Sequence, residues 1–383
     1  MKNILFIHQS AELYGSDKTL LLLLKHLDKN EFLPIVILPS NGLLKDALEK
    51  ENIKVFIAPV LKLHRQIFTP KNLINFFREI KLALSILDEL NEQYNFDFVY
   101  SNTLAVMLGM IYAKKQKIKH LWHVHEIITH PKPIATVFPI LLNKYADVVV
   151  CNSNATMKNL IDRKFDLQKK TKVIYNGIEQ KISQPIVVSK KDFGFKNDDT
   201  IITLVGRINR FKGHKLLLFT YINYFSNHPK VKLLFVGAPF NGQEHFLDEI
   251  QQIIQDNNLQ QQVTILPFTN NLSRIWSITD IAVMPSTEAE PFGLVAAEAM
   301  LEKKPVVGSN HGGLAEIIIN NETGFLVEPN NELELSEALF KLIENPELRT
   351  SFGENGYNRV RNTFTLESHI NDFEKLFTAM LSK

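Results

Sequence analysis

Two α/β domains, each a doubly wound parallel sheet, are predicted by three observations. Short unbroken apolar runs recur along the sequence, as parallel strands covered on both faces require. Helix-forming segments alternate with these runs, the pattern of successive βαβ units. The cycle then restarts after a polar stretch, and 383 residues exceed what one hydrophobic core usually organises.

Ile4 to Ile7 opens the first cycle as a strand. Gly15-Ser16-Asp17 follows, with Leu20 to Leu24 on the next helix. Ser16 or Asp17 is expected to cap that helix, and Gly15 lets backbone approach a ligand closely. Pro34 to Leu38 reads as the second strand and Leu43 to Glu49 as a short helix. Val55 to Ala58, Phe98 to Tyr100, His120 to His123, Ala146 to Cys151 and Lys172 to Ile174 continue the alternation as strands. The pattern breaks near Asn176-Gly177, and the polar stretch Glu179 to Asp199 is expected to link the domains. Ile201 to Gly206 starts the second cycle, feeding a loop and a helix from His214 to Phe225. Leu233 to Val236, Val263 to Leu266, Ile281 to Met284 and Pro305 to Val307 are its further strands. The expected division is 1–180, 181–365 and a helical segment 366–383, in which Leu366 to Leu381 could pack back on the first domain. Doubly wound domains facing one another bind ligands beside the carboxyl ends of their strands.

The formal net charge is +2, so no global field draws the chain to nucleic acid or a membrane surface. The single cysteine, Cys151, excludes an internal disulfide and a cysteine-based zinc site, and suits a small buried side chain. The first apolar run stops at Ile7, too short for a secretion signal, and neither end carries a lipidation motif. No window approaches the roughly 18 apolar residues of a spanning helix. A cytoplasmic protein is expected, free or held peripherally on the inner face of the membrane.

The chemistry concentrates between Met284 and Met300, where Glu290 sits on a turn and Glu298 on the helix that follows. Pro291 fits the first helical position, with Leu294 to Met300 rich in helix formers. Eight residues of helix would separate the carboxylates by roughly 12 Å, with the N–H groups of Phe292, Gly293 and Leu294 between them. Carboxylate, anion site and carboxylate match the hexose, diphosphate and ribose of a nucleotide sugar. On spacing alone, a capped helix with two solvated glutamates accounts for the stretch equally well. Gly206-Arg207 and Lys212-Gly213 place two cations at the mouth of the second sheet, where anions bind. In the first half, His123 and His125 point to one strand face, with Glu126 beside them. With no third ligand in the pattern, a metal is not expected there.

In order along the chain stand Gly206-Arg207, Lys212-Gly213, Pro285-Ser286, Glu290-Pro291-Phe292-Gly293, Glu298-Ala299-Met300, Pro305-Val306-Val307, His311-Gly312-Gly313 with Glu316, and Thr323 to Val327. This ordered set resembles the retaining, metal-independent glycosyltransferases of family 4, group 1, which have the two-Rossmann GT-B fold. The resemblance is dense from Gly206 to Val327 and thinner in the first domain, where Gly15 matches a glycine loop but Ser16 replaces its usual partner glycine.

The resemblance implies that residues 181–365 bind the nucleotide-sugar donor and residues 1–180 face the acceptor. It assigns the donor ribose to Glu298, the diphosphate and leaving group to Arg207 and Lys212, and the donor sugar to Glu290 and His125. Gly15, Gly206 and the amides of Phe292, Gly293 and Leu294 would complete the donor site. No cofactor or metal is implied, and the chain has no Asp-X-Asp triplet. The expected reaction moves a sugar from a UDP or GDP donor to a glycan or lipid-linked acceptor in envelope polysaccharide or lipopolysaccharide assembly. Departure on the front face and a covalent intermediate on Glu290 both stay open. A nucleotide-sugar epimerase of the same build is the nearest rival. A nicotinamide oxidoreductase is disfavoured because neither first strand precedes Gly-X-Gly-X-X-Gly. Leu61 to Phe77, mixing Lys62, Arg65 and Lys71 with apolar groups, suits either a core-facing helix or a membrane surface that presents a lipid-linked acceptor.

Overall fold

The computed structural model describes residues 1–61, 70–180, 188–269 and 271–382, and of these residues 70–74 by backbone alone. Residues 62–69 of the Leu61 to Phe77 stretch, and Ile186 of the linker, therefore lie outside the described residues. The chain forms two compact units, Met1–Glu179 joined by Leu366–Lys383, and Gln180–Thr365.

The first unit runs β1 (Lys2–His8), α1 (Gly15–His26), β2 (Phe32–Leu38), α2 (Leu43–Lys50), β3 (Lys54–Ile57), α3 (Pro70–Tyr94), β4 (Phe98–Asn102), α4 (Leu108–Gln116), β5 (Lys119–Val124), α5 (Lys132–Tyr145), β6 (Val148–Cys151), α6 (Asn154–Ile161) and β7 (Thr171–Val173). Its strands pair in parallel in the order β3-β2-β1-β4-β5-β6-β7. The unbroken apolar run of β1 follows from burial on both faces. Leu5 and Ile7 belong to one core with Val99 and Trp122, whereas Ile4 and Phe6 belong to another with Phe98 and Tyr100. Cys151 is buried in the first of these cores. The register sets His8 opposite Asn102, and Asn102 opposite His123, at the carboxyl ends of three adjacent strands.

Helix α1 begins earlier than the sequence suggests. Gly15 is its first residue, so neither Ser16 nor Asp17 is the cap residue. Asp17 instead reaches back from the third position, its Oδ2 accepting the Tyr14 N–H at 3.0 Å. The carboxylate thus satisfies one of the orphan donors at the helix start.

The second unit runs β8 (Thr200–Val205), α7 (His214–Tyr224), β9 (Val231–Val236), α8 (His245–Asp256), β10 (Val263–Leu266), α9 (Leu272–Ile278), β11 (Ile281–Met284), α10 (Leu294–Leu301), β12 (Val306–Ser309), α11 (Leu314–Ile317), β13 (Gly324–Val327), α12 (Glu332–Glu344) and α13 (Pro346–Thr363). Its parallel order, β10-β9-β8-β11-β12-β13, reverses after its first strand as the first sheet does. Elsewhere the expected strand and helix ends lie within a residue or two of these. Helix α14 (Leu366–Leu381) then joins the first unit. Its Phe373 and Phe377 enter the core formed by Ile4, Phe6 and Leu20. The Phe377 ring lies 5.3 Å from Phe98 and 5.7 Å from Phe32.

Candidate functional site

In the second unit the strand order reverses between β8 and β11, the position where open α/β sheets take their ligands. The loop after β8 is tied to the end of β9 by Gly206 N–H to Val236 O at 2.9 Å and Ile208 N–H to Ala238 O at 3.0 Å. Asn209 Oδ1 accepts the backbone N–H groups of Phe211 and Lys212 at 2.9 and 3.1 Å, which closes the turn carrying Lys212. Gly213 ends that turn at φ +79°, where a Cβ would collide with the Pro285 carbonyl. Only glycine lets the loop pass so close to the end of β11.

Lys212 Nζ consequently lies 2.8 Å from Glu290 Oε2. Ser286 Oγ donates to Glu290 Oε1, and His311 Nε2 donates to the Ser286 carbonyl at 3.0 Å. Burial alone would raise the Glu290 pKa. The charge and hydrogen bond of Lys212, with the Ser286 hydroxyl, outweigh it and hold the carboxyl below its usual range. Glu290 is therefore an anion already engaged through both oxygens. Burial draws the His311 pKa down, so this imidazole is neutral at pH 7. The Arg207 guanidinium stacks 3.6 Å from the centre of the exposed Phe240 ring.

Two expectations about the Glu290–Glu298 stretch change. Helix α10 starts at Leu294, with Gly293 at φ +106° before it, so Pro291 is not its first residue and Glu290 is not its cap. The cause is tertiary. The Gly312-Gly313 turn packs against the backbone from Glu290 to Phe292, and Gly313 N–H donates to Glu290 O at 2.7 Å. The segment is held outside the helix, and the 12 Å spacing loses its basis. Phe292 is buried against Phe364, with ring centroids 5.6 Å apart, and its N–H is not a first-turn donor. Those donors begin at Leu294. Glu298 is half-buried within α10.

The first unit assembles a second cluster at its own reversal, between β1 and β4. Asp17 Oδ1 lies 2.5 Å from His8 Nε2, and Asn102 Nδ2 lies 2.9 Å from His8 Nδ1. Asn102 Oδ1 lies 2.9 Å from His125 Nε2, which is also 3.1 Å from His123 Nδ1. The Tyr100 hydroxyl completes the series, 2.5 Å from His123 Nδ1. The rings of His123 and His125 do share a face, 3.9 Å apart. Burial pushes the His125 pKa down to about 3, helped by nearby His8 and His369, and that of His123 well below its ordinary value. Both are neutral imidazoles. Glu126 accepts the backbone N–H groups of Leu104 and His125 at 3.1 and 3.0 Å. Gly15 lies exposed at the start of α1, two residues before Asp17.

Sequence reasoning passed over His8, Asp17 and Asn102 as members of this cluster, and Phe240 as the partner of Arg207. His8 and Asn102 each end a strand beside the reversal, which is the signal that identifies them.

Residues 188–359 match the family described as Glycosyl transferases group 1, and residues 15–181 match Glycosyltransferase Family 4. The chain belongs to the group 1 glycosyltransferases. An uncharacterized glycosyltransferase of Methanocaldococcus jannaschii is 26% identical across 94% of this glycosyltransferase and 93% of its own length. The capsular polysaccharide biosynthesis glycosyltransferase CapM of Staphylococcus aureus is 30% identical over 49% of this chain and 48% of its own. Among solved structures, HepE of Anabaena in complex with UDP superposes with a TM-score of 0.83 at 25% identity, covering 99% of this chain and all of that one. The fold of this glycosyltransferase is thus GT-B, two parallel sheets with surrounding helices. Among the described residues no helix is long and apolar enough to cross a membrane.

Proposed function

We propose that this glycosyltransferase retains anomeric configuration and moves a hexose from a UDP or GDP sugar to a glycan or lipid-linked acceptor, in the assembly of an envelope polysaccharide. The observation that carries the reading is the ionised Glu290 pinned by Lys212 and Ser286 at the end of β11, with Arg207 at the end of β8. Bond cleavage leaves negative charge on the departing diphosphate. Arg207, Lys212 and the amino end of α10 supply positive potential for it, so the reading calls for no metal. A charge-assisted hydrogen bond contributes roughly 1.5–3 kcal/mol.

In this reading Glu298 accepts hydrogen bonds from the ribose hydroxyls, and the turn through Phe292, Gly293 and Leu294 lies along the donor. Glu290 accepts from a hydroxyl of the sugar. Its ion pair with Lys212 makes it a poor nucleophile, which favours departure assisted by the phosphate over a covalent intermediate. Gly15 and Gly206 leave space for the diphosphate, and His125 meets the sugar as a neutral imidazole. The donor class is supported by the UDP complex of the Anabaena relative, and the pathway by the capsular relative.

Thermal unfolding with UDP, GDP, ADP and NAD tests the donor, with stabilisation expected from UDP or GDP. Stabilisation by NAD alone would overturn the reading. Glu298→Ala is expected to weaken nucleotide binding, and Glu290→Ala to slow transfer while nucleotide binding persists. Unchanged turnover in both variants would refute the site.

A further inference from the structure

The buried cluster of the first unit has a direction, set at its Asp17 end and by a backbone carbonyl beside Asn102. At one end, Asp17 is a carboxylate that only accepts, so His8 Nε2 carries a hydrogen and donates to Oδ1 at 2.5 Å. His8 Nδ1 faces Asn102 Nδ2 at 2.9 Å, and since an amide nitrogen only donates, this ring nitrogen is the acceptor. The same amide nitrogen faces the Ser16 carbonyl at 3.5 Å, and a carbonyl also only accepts. Asn102 is thus oriented twice over, and its Oδ1 must receive the hydrogen of His125 Nε2, 2.9 Å away. The Tyr100 hydroxyl, 2.5 Å from His123 Nδ1, is free to donate to it, which is compatible with a hydrogen on His125 Nε2, 3.1 Å from the same nitrogen. Among the described residues His125 Nδ1 has no hydrogen-bond partner.

The backbone is strained where this relay leaves β4. Thr103, directly after Asn102, takes φ +84°, which a β-branched residue adopts only under constraint. Trp122 Nε1–H donates to the Thr103 carbonyl at 2.8 Å, and Thr103 N–H donates to His123 O at 2.8 Å, which holds the strained residue in place.

We propose that Asp17, acting through His8 and Asn102, is a positioning residue that holds His125 in its Nε2–H tautomer, so that the unprotonated Nδ1 accepts a hydrogen bond from a hydroxyl of the transferred sugar. This rests on the reading of His125 as a donor-sugar contact. The same logic specifies how to reverse the relay. In Asp17→Asn the Tyr14 N–H, 3.0 Å from Oδ2 in the native chain, retains an oxygen there, so the new amide nitrogen faces His8. His8 Nε2 must then accept, Nδ1 becomes protonated, Asn102 turns over, and His125 shifts its hydrogen to Nδ1.

The test is long-range proton–nitrogen NMR of histidine-labelled full-length protein, alongside kcat and UDP affinity. In the native chain His125 Nδ1 is expected to give the signal of an unprotonated ring nitrogen, and in Asp17→Asn that of a protonated one. Turnover should fall at least about tenfold in this variant, with UDP affinity unchanged. Asn102→Asp keeps an oxygen opposite His125 Nε2, so the native tautomer should persist there even if Asp17→Asn fails to fold. An unchanged Nδ1 signal in folded Asp17→Asn, an inverted one with native turnover, or an inverted one in Asn102→Asp would overturn the relay. His125→Ala tests the underlying reading separately: native turnover in that variant removes the sugar contact, whereas a loss there with an inert Asp17→Asn removes only the relay.

Discussion

The two units reverse their strand order at corresponding places, between β1 and β4 and between β8 and β11, yet they furnish those places differently. The first carries His123 and His125, kept neutral by burial, with Asn102 between His125 and His8 and the buried Asp17 carboxylate at the far end. The second carries ion pairs and cations, with Glu290 bridged between Lys212 and Ser286 and Arg207 laid on Phe240. Charge supplies a field that attracts an anion whatever the orientation of its oxygens. A neutral chain of hydrogen bonds supplies little field, but it fixes which atom donates and which accepts.

The strongest challenge to this contrast is Lys212→Ala, which removes the counter-charge of a largely buried carboxylate. Turnover is expected to fall by roughly 10²–10³-fold, more than for any exchange of a neutral partner in the first cluster. A loss in steady-state kcat no larger than that of Asp17→Asn would erase the distinction.

Acid separates the units next. His120, His125 and His369 of the first unit are drawn from 6.5 to about 4, 3 and 4 by burial, and His123 also lies well below its ordinary value. In the second unit burial draws His214 to about 3 and lowers His311. Below pH 6.5 the unfolded chain binds protons that these folded sites refuse. Their stabilisation is complete above 6.5 and declines as pH falls, by about 1.4 kcal/mol per pH unit for each of His120, His125, His214 and His369 until its folded pKa is reached. Between pH 6.5 and 4.5, before the carboxylates near Lys212 titrate, the first unit should lose the more stability. Amide exchange in β4 and β5 should therefore accelerate ahead of β8 and β11, and equal acceleration would contradict the assignment.

The smallest expected effect is that of Phe240→Ala. An exposed cation–π contact is worth about 0.5–1 kcal/mol, so the donor KM should rise only a few-fold, with kcat nearly unchanged. A loss on the scale of Lys212→Ala would mean that Phe240 does more than support Arg207.

These contrasts also explain what could be read from the sequence. The two-sheet α/β fold was legible because each parallel strand is buried on both faces and so appears as an apolar run, Ile4 to Ile7 and Ile201 to Val205 among them. The charged cluster was legible as a family pattern because Arg207, Lys212 and Glu290 are distinctive residue types beside strand ends. The start of α10 was misjudged because Pro291 is a good first helical residue locally, and the Gly312-Gly313 turn that holds it outside the helix comes from a distant part of the chain. Within the neutral cluster His123 and His125 were legible on one strand, but their partners His8 and Asn102 stayed hidden for the same reason. His8, Asn102 and His123 meet only through the register of three strands, and nothing local in the sequence marks them as neighbours.

Helix α14 gives the molecule an order of assembly. Phe373 and Phe377 fill the core over β1 and α1, yet the ribosome makes them only after every residue of the second unit. The unit begun first is therefore the one completed last, and the core around Phe6 and Phe98 stays uncovered throughout synthesis of residues 180–365. During translation the second unit can close its own core independently. The nascent first unit, with that apolar face open, is the stage at which this chain most needs protection from aggregation.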